Sequence, residues 1–455
     1  MAMPFNEDIQ TAVRKELTDV DLWLARALVI TAAAAAGLTV VGFTWLTEHA
    51  LNGFAAHLHW PAWSALLWTP LCTALIVWAT RRYAAGAAGS GIPQVMAAIS
   101  PGVAAQERSL FVSLRLSVAK ILLSTCGLLA GLSLGREGPS VQIAAGVMHS
   151  IRRWLPRRAA IHDHGLLVAG GAAGIAAAFN TPLAGVMFAI EELSRAPEQR
   201  NSGLLIAGIV LAGLMGVSVY GNATYFGMIH AVDVGVSLLL PGLLVTVVSG
   251  LAGGLFSRLL IRSLSGTGLD HMSKLRRQRP VVFAAVCGLA IAIIGMTTGG
   301  DTFGSGYAHT RAMIEGRDDV PAAYALLKFM ATWLTAWSGV PGGIFAPSLS
   351  IGGALGNDLA MLTGYAHPAT LIALGMAGFL AAATQAPLTS FIIVMEMVDG
   401  HAMVLSLMSC ALIAHGISRL LSPPLYGTLA ALQLDRLSTR KPSELPGHQA
   451  TASAP

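Results

Sequence analysis

Leu166–Leu183 reads LLVAGGAAGIAAAFNTPL, and Leu371–Leu388 reads LIALGMAGFLAAATQAPL. Laid side by side without a gap, the triple alanines coincide, Ala176–Ala178 on Ala381–Ala383, as do Gly170 with Gly375 and the two Pro-Leu pairs. Nine residues past each proline stands a glutamate, Glu191 and Glu396. A second match, Pro139–Ile143 on Pro347–Ile351, recurs at a spacing of 208 residues against 205 for the first. Chance resemblance among Ala-, Gly- and Leu-rich segments does not account for two ordered matches at nearly one spacing. The chain is therefore read as two structural halves, about 22–221 and 235–426.

The first stretch also shows how each half is built. Residues 165–190 carry no charge, yet contain Gly165, Gly170, Gly171, Gly174 and Gly185, and Asn180-Thr181-Pro182 breaks the run into two half-length helices. Half-helices at membrane depth are tolerated only where their freed backbone groups face protein or a polar cavity. Transporters use such breaks to build ion sites near the midplane, commonly between inverted repeats. Inversion is the expectation here, although no residue shows it.

Composition sets the solvent. Of 455 residues, 54% are hydrophobic and 11% charged, against about a quarter charged in soluble domains. Mean hydropathy is +0.65. The expectation is an integral membrane protein of the all-α, polytopic class. The net charge of +5 comes from 28 Lys and Arg without a long basic stripe, which argues against nucleic acid as a partner. The 50 glycines and 21 prolines exceed what plain spanning helices want. Cys72, Cys126, Cys287 and Cys410 are isolated in apolar stretches and read as packing residues. His162-Asp163-His164 is the tightest histidine group, and beside a basic linker it reads as a solvated loop. No metal site or cofactor is expected, and no motif of a soluble enzyme is present.

Residues 1–20 are polar and read as a cytoplasmic helix. Leu24–Leu46 is long enough to span, too long for the core of a signal peptide. A loop is expected at Glu48–His59, then a second span from about Pro61 to Thr80, with Trp60, Trp63 and Trp68 as an aromatic belt. Arg81/Arg82, Arg152/Arg153/Arg157/Arg158 and Lys274/Arg276/Arg277/Arg279 fall in short connections. The positive-inside rule assigns them, and with them both termini, to the cytoplasmic face of the cell's inner membrane. Residues 433–455 read as a short disordered tail, which leaves 21–432 as the membrane domain.

Three glycine-rich breaks each precede a helical stretch: Gly89-Ser90-Gly91-Ile92-Pro93, Gly135-Arg136-Glu137-Gly138-Pro139 and Gly342-Gly343-Ile344-Phe345-Ala346-Pro347. Each proline lies where a helix can begin. The preceding residues then offer backbone N–H groups, a fixed partial positive charge suited to an anion that must bind and leave.

In this order and spacing, GSGIP, GREGP and GGIFAP resemble the signature motifs of the CLC chloride channel and transporter family. The likeness runs from about Leu22 to Leu432 and extends to AFNTPLAGVMFAIEEL (178–193) and Pro424-Leu425-Tyr426. It implies that Ser90 and Tyr426 place hydroxyls on a central chloride, with backbone amides around Ile344, Phe345 and Glu137 completing the path. The serine of GSGIP is similar to that of chloride-preferring members, where nitrate-selective relatives carry proline. Glu137 matches the gating glutamate, and Glu192 the internal proton-transfer glutamate found in most exchangers of the family. Glu191 and Glu396 are assigned to structure. Lys120 resembles a buried basic residue that biases proton uptake, against the alternative of a lysine snorkelling to the membrane edge. Gln94, Val95 and Met96 depart from the acidic residues common after GSGIP, which removes any auxiliary acidic group there. The resemblance implies a homodimer with independent pores that exchanges chloride for protons across the bilayer, the alternative being a passive voltage- or pH-gated chloride channel.

Overall fold

The computed structural model describes residues 18–58, 62–156, 161–194, 202–221, 226, 235–266, 268, 270–317 and 323–440. The expected N-terminal helix before Thr18, Trp60, Arg157 and Arg158 lie outside them, as does the tail beyond Arg440. The described residues form helices joined by turns and loops, and their one isolated β-bridge joins Gly135 to Gly343. Among the described residues, six helical stretches are long and apolar enough to cross a membrane.

The first half holds α1 (Val20–Leu58), α2 (Ala65–Tyr83), α3 (Ile92–Ile99), α4 (Leu114–Leu129), α5 (Glu137–Ser150), α6 (Asp163–Phe179), α7 (Pro182–Phe188) and α8 (Ser202–Tyr220). A π-helical turn, Ala189–Ser194, follows α7. The second half holds α9 (Leu239–Ser265), α10 (His271–Gln278), α11 (Pro280–Thr297), α12 (Tyr307–Ile314), α13 (Tyr324–Ser338), α14 (Phe345–Thr363), α15 (Pro368–Thr384), α16 (Pro387–Met397) and α17 (Val404–Leu421), and α18 (Leu425–Arg440) is the last helix among the described residues.

Two boundaries differ from the sequence reading. The loop expected at Glu48–His59 is the continuation of α1 to Leu58. Phe54 is buried there, with its ring 4.9 Å from that of Phe303 and against Gly131, where a Cβ would lie 2.2 Å from the Phe54 ring. That packing outweighs the polar residues that suggested a loop. At the other end α18 continues to Arg440, beyond the boundary at 433 expected for the tail.

The break read at Asn180–Pro182 has a counterpart of the same construction in the second half. Helix α6 ends on Asn180 at φ 59°, and α15 ends on Gln385 at φ 62°, both left-handed without being glycine. Each is followed by a proline at the first turn of the next helix, Pro182 and Pro387. A left-handed residue stops one helix and proline starts the next at a new angle.

The halves run in opposite directions. Helix α6 leaves the face carrying the basic connection, where Asp163 in its first turn pairs with Arg108 and Arg152. Helix α9 ends on that same face: Arg276 of α10, which follows it, lies in the field of Arg81, and Gly86, at the end of that connection, packs on the Leu110 backbone beside Arg108. Gly242 packs on Leu374, and Gly253 on Phe379 and Ala382, so α15 runs parallel to α9, toward the basic face. Its repeat mate α6 runs away from it. The repeats are inverted.

Much of the glycine serves close approach between helices. A Cβ on Gly375 would strike the Gly352 backbone, and one on Gly174 the Ser140 backbone. Thus α14 packs on α15, and α5 on α6, almost backbone to backbone, the small-residue contact expected in lipid.

Candidate functional site

The three glycine-rich loops meet at the centre of the molecule. Gly135 and Gly343 exchange a pair of backbone hydrogen bonds, each 2.8 Å, and the Gly342 N–H donates to the Gly89 carbonyl at 3.0 Å. Only glycine allows this: a Cβ on Gly343 would lie 2.9 Å from the Gly138 nitrogen, and one on Gly91 2.7 Å from the Gly138 carbonyl oxygen.

Buried side chains dispose of the carbonyls of the first loop. Gln142 donates to the Gly86 carbonyl at 2.9 Å. Lys120 donates to those of Ala87 and Gly89 at 2.8 and 2.6 Å, and Gln94 donates to that of Ala88. Gln94 also accepts the Gly91 N–H at 3.0 Å. An unpaired carbonyl here would repel an anion and be costly to bury; each of these is paired. Lys120 is 0% exposed, so it does not snorkel: it staples the loop that carries Ser90. Gln94 and Met96 are buried too, and Gln94 closes the same loop.

What remains turned inward is polar and underused. The Ser90 Oγ lies against Gly138. It is buried without a hydrogen-bond partner among the described residues, and so is the Tyr426 hydroxyl. Ser90 is the polar side chain beside that hydroxyl, which lies within the fields of both Glu137 and Glu192. Phe345 stacks on Tyr426 at 6.1 Å with an interplanar angle of 11°. Ile344 and Phe345 begin α14, where the N–H groups have no carbonyl four residues back.

Glu137 sits where two helix starts converge. It opens α5, it is fully buried, and its Oε2 accepts the Ala346 N–H of α14 at 3.4 Å. The backbone N–H groups of Arg136 and Glu137 itself also face the carboxylate, which folds back over Gly135, Ala346 and Pro347. Its Oε1 has no partner among the described residues. A carboxylate thus occupies a place whose chemistry is that of an anion site. On the far side, Arg136 pairs with Glu48 at 2.9 Å, and a cavity of about 50 Å³ reaches Glu137 past Ser305 and Tyr307.

Glu192 lies on the π-helical turn after α7, a local geometry common at functional sites. It is 6% exposed and borders a cavity of about 380 Å³ with Glu191. Glu191 serves structure: it accepts the Leu388 and Thr389 N–H groups at 2.9 and 2.7 Å.

One part of this framework is missing from the sequence reading. Gly304-Ser305-Gly306 precedes α12 as Gly89-Ser90-Gly91 precedes α3. The buried Lys328 donates to the Thr302 and Gly304 carbonyls at 2.9 and 2.8 Å, as Lys120 does in the first half. The signal was there, since Lys120 and Lys328 are 208 residues apart, the spacing of Pro139 and Pro347.

Inverted repeats, broken helices and a buried anion-type site define a multi-pass membrane protein of the ion-transporter and ion-channel class. The family model described as "Voltage gated chloride channel" matches residues 72–419, and the chain belongs to that family. It is 30% identical over 434 residues to the H(+)/Cl(-) exchange transporter ClcA of Cronobacter sakazakii, covering 90% of each chain. It is 29% identical over 450 residues to that of Citrobacter koseri, covering 94% of this chain and 91% of the relative. Among solved structures it resembles a slow cyanobacterial Cl-/H+ antiporter, with a TM-score of 0.78 at 24% identity, covering 91% of this chain and 99% of that one. It also resembles a CLC-type fluoride/proton antiporter, with a TM-score of 0.74 at 22% identity, covering 90% and 99%. The likeness to the two solved structures concerns the fold.

Proposed function

We propose that the protein exchanges chloride for protons across the cell's inner membrane, as a homodimer with one pathway per subunit and both termini in the cytoplasm. The observation that carries the reading is the Glu137 carboxylate lodged between the starts of α5 and α14, with the unpaired hydroxyls of Ser90 and Tyr426 beyond it. Chloride binds at those hydroxyls and at the amides of Ile344 and Phe345. Ionised, Glu137 occupies the next position along the path and blocks it. Protonated, it gives up that position to chloride and carries the proton with it.

Glu192 supplies the other half of the cycle. It takes a proton from the basic-loop side and passes it toward Glu137, so that proton and anion share the centre but leave by different routes. Tyr426, within the fields of both glutamates, stands where the routes join. The ClcA relatives, named as H(+)/Cl(-) exchange transporters, support coupling over a passive pore. The test uses purified protein in chloride-loaded vesicles. An outward chloride gradient is expected to drive protons inward against their own gradient. Chloride flux with no proton movement would make the protein a channel.

A further inference from the structure

The cavity beside Glu192 has walls that the transport cycle above does not use. At about 380 Å³ it has room for several waters. Besides Glu191 and Glu192 it is lined by Gln385 at the end of α15 and by His415 and Arg419 of α17. Ser422, also on its wall, meets Ser257 of α9 at 3.1 Å, two turns before α9 ends on the basic face. The cavity therefore lies toward the basic connections.

His415 is the unusual member. A histidine on a membrane-spanning helix, turned to a polar cavity, is a functional candidate by default. Its Nδ1 is buried and has no hydrogen-bond partner among the described residues. The charges that reach the ring are Arg419, one turn along α17, and Glu191, across the cavity. Glu191 cannot relay, because three donors from Leu388 and Thr389 already engage its oxygens.

The remaining elements packed on α17 contribute little. Helix α15 has no ionisable residue. The single one on α16, Glu396, is engaged at the start of α7. His401 lies at the opposite end of α17, paired with Asp399. Arg258 and Arg262 of α9 lie two or more turns beyond Gly250, which packs on Ala414. Imidazole is the side chain whose ordinary titration range spans neutrality. It and the Glu192 carboxylate are the two groups on this cavity fit to exchange protons.

We propose that His415 relays protons between water on the basic-loop side and Glu192. The ring takes a proton from cavity water to become imidazolium. It gives that proton, through cavity water, to the Glu192 carboxylate and returns to neutral imidazole, so charge balances at each hand-over. This rests on the reading of Glu192 as the internal proton acceptor.

The test measures proton and chloride fluxes of the full chain in vesicles while pH is varied on each side in turn. His415→Gln is expected to cut proton flux at least about tenfold and to abolish the dependence on cavity-side pH near neutrality, with chloride flux within about twofold of the parent. Imidazole added to His415→Ala should restore proton flux. Parental proton flux and pH profile in His415→Gln would overturn the relay, and so would a joint loss of both fluxes in His415→Ala that imidazole does not rescue. If the unmodified protein drives no protons uphill, the exchanger reading fails first and takes the relay with it. If it does and both variants match it, only the relay fails.

Discussion

Glu191 and Glu396 cap each other's helices. Glu191, just beyond α7, accepts the Leu388 and Thr389 N–H groups at the start of α16 at 2.9 and 2.7 Å. Glu396, in the last turn of α16, accepts those of Leu183 and Ala184 at the start of α7 at 3.3 and 2.9 Å. A two-fold relation between inverted repeats produces this reciprocity, since whatever one half does to the other must be done in return. It also separates the two neighbouring glutamates: Glu191 caps a helix start, and Glu192 lies on the π-helical turn beside the cavity.

Removing one cap should therefore destabilise the protein without uncoupling it. Glu396→Ala leaves two first-turn N–H groups of α7 without their acceptor, and is expected to cost about 1–2 kcal/mol. Thermal unfolding in detergent should show the loss, with a smaller one for Glu396→Gln. The proton-to-chloride ratio should not move.

The two lysine staples should differ in their consequences. Lys120→Met strands the Ala87 carbonyl and takes one of two donors from that of Gly89, and Lys328→Met strands those of Thr302 and Gly304, at about 1–3 kcal/mol for each group left unpaired. Both variants should unfold earlier. Only Lys120→Met should also weaken chloride binding, because only its loop carries Ser90 to Tyr426. Equal chloride affinity in the two variants would count against that link.

The hydroxyls should report on anion affinity. Ser90→Ala or Tyr426→Phe removes one donor to a bound anion, worth about 1.5–3 kcal/mol for a hydrogen bond to a charged group. Calorimetric titration with chloride should show affinity weakened roughly tenfold to a hundredfold, with the fold intact. Unchanged affinity in both would remove the hydroxyls from the site.

Glu137 should carry the pH dependence of chloride movement. A carboxylate that blocks when ionised and yields when protonated makes chloride flux rise as pH falls. Glu137→Ala is expected to give a larger chloride flux with no pH dependence and no coupled protons. A variant flux that still rises with acid would place the gate elsewhere.

How much of this was legible in the sequence depended on whether the residues concerned act through local pattern or through distance. The halves, the break at Asn180 and the three glycine-rich loops all follow from spacing and from the backbone demands of Gly and Pro. Glu191 and Glu396 stood out through their equal distance from a proline, although not their exchange of caps, which needs the two halves folded together. The full length of α1 was hidden because the polar residues around Glu48 outweighed Phe54, whose partners Gly131 and Phe303 lie far along the chain. Gln94 read as a missing acid, whereas its two hydrogen bonds close the Ser90 loop. The repeat of Gly-Ser-Gly at 304–306 lacks the proline that marked the first copy, and so passed unnoticed.

Coupling is the central claim, and Glu192 is the residue on which it turns. Proton and chloride fluxes should be recorded together, in vesicles under one imposed chloride gradient, for the unmodified protein and for Glu192→Gln. The unmodified protein should pump protons uphill, and Glu192→Gln should pass chloride while moving no protons. Proton pumping that survives Glu192→Gln would contradict the account.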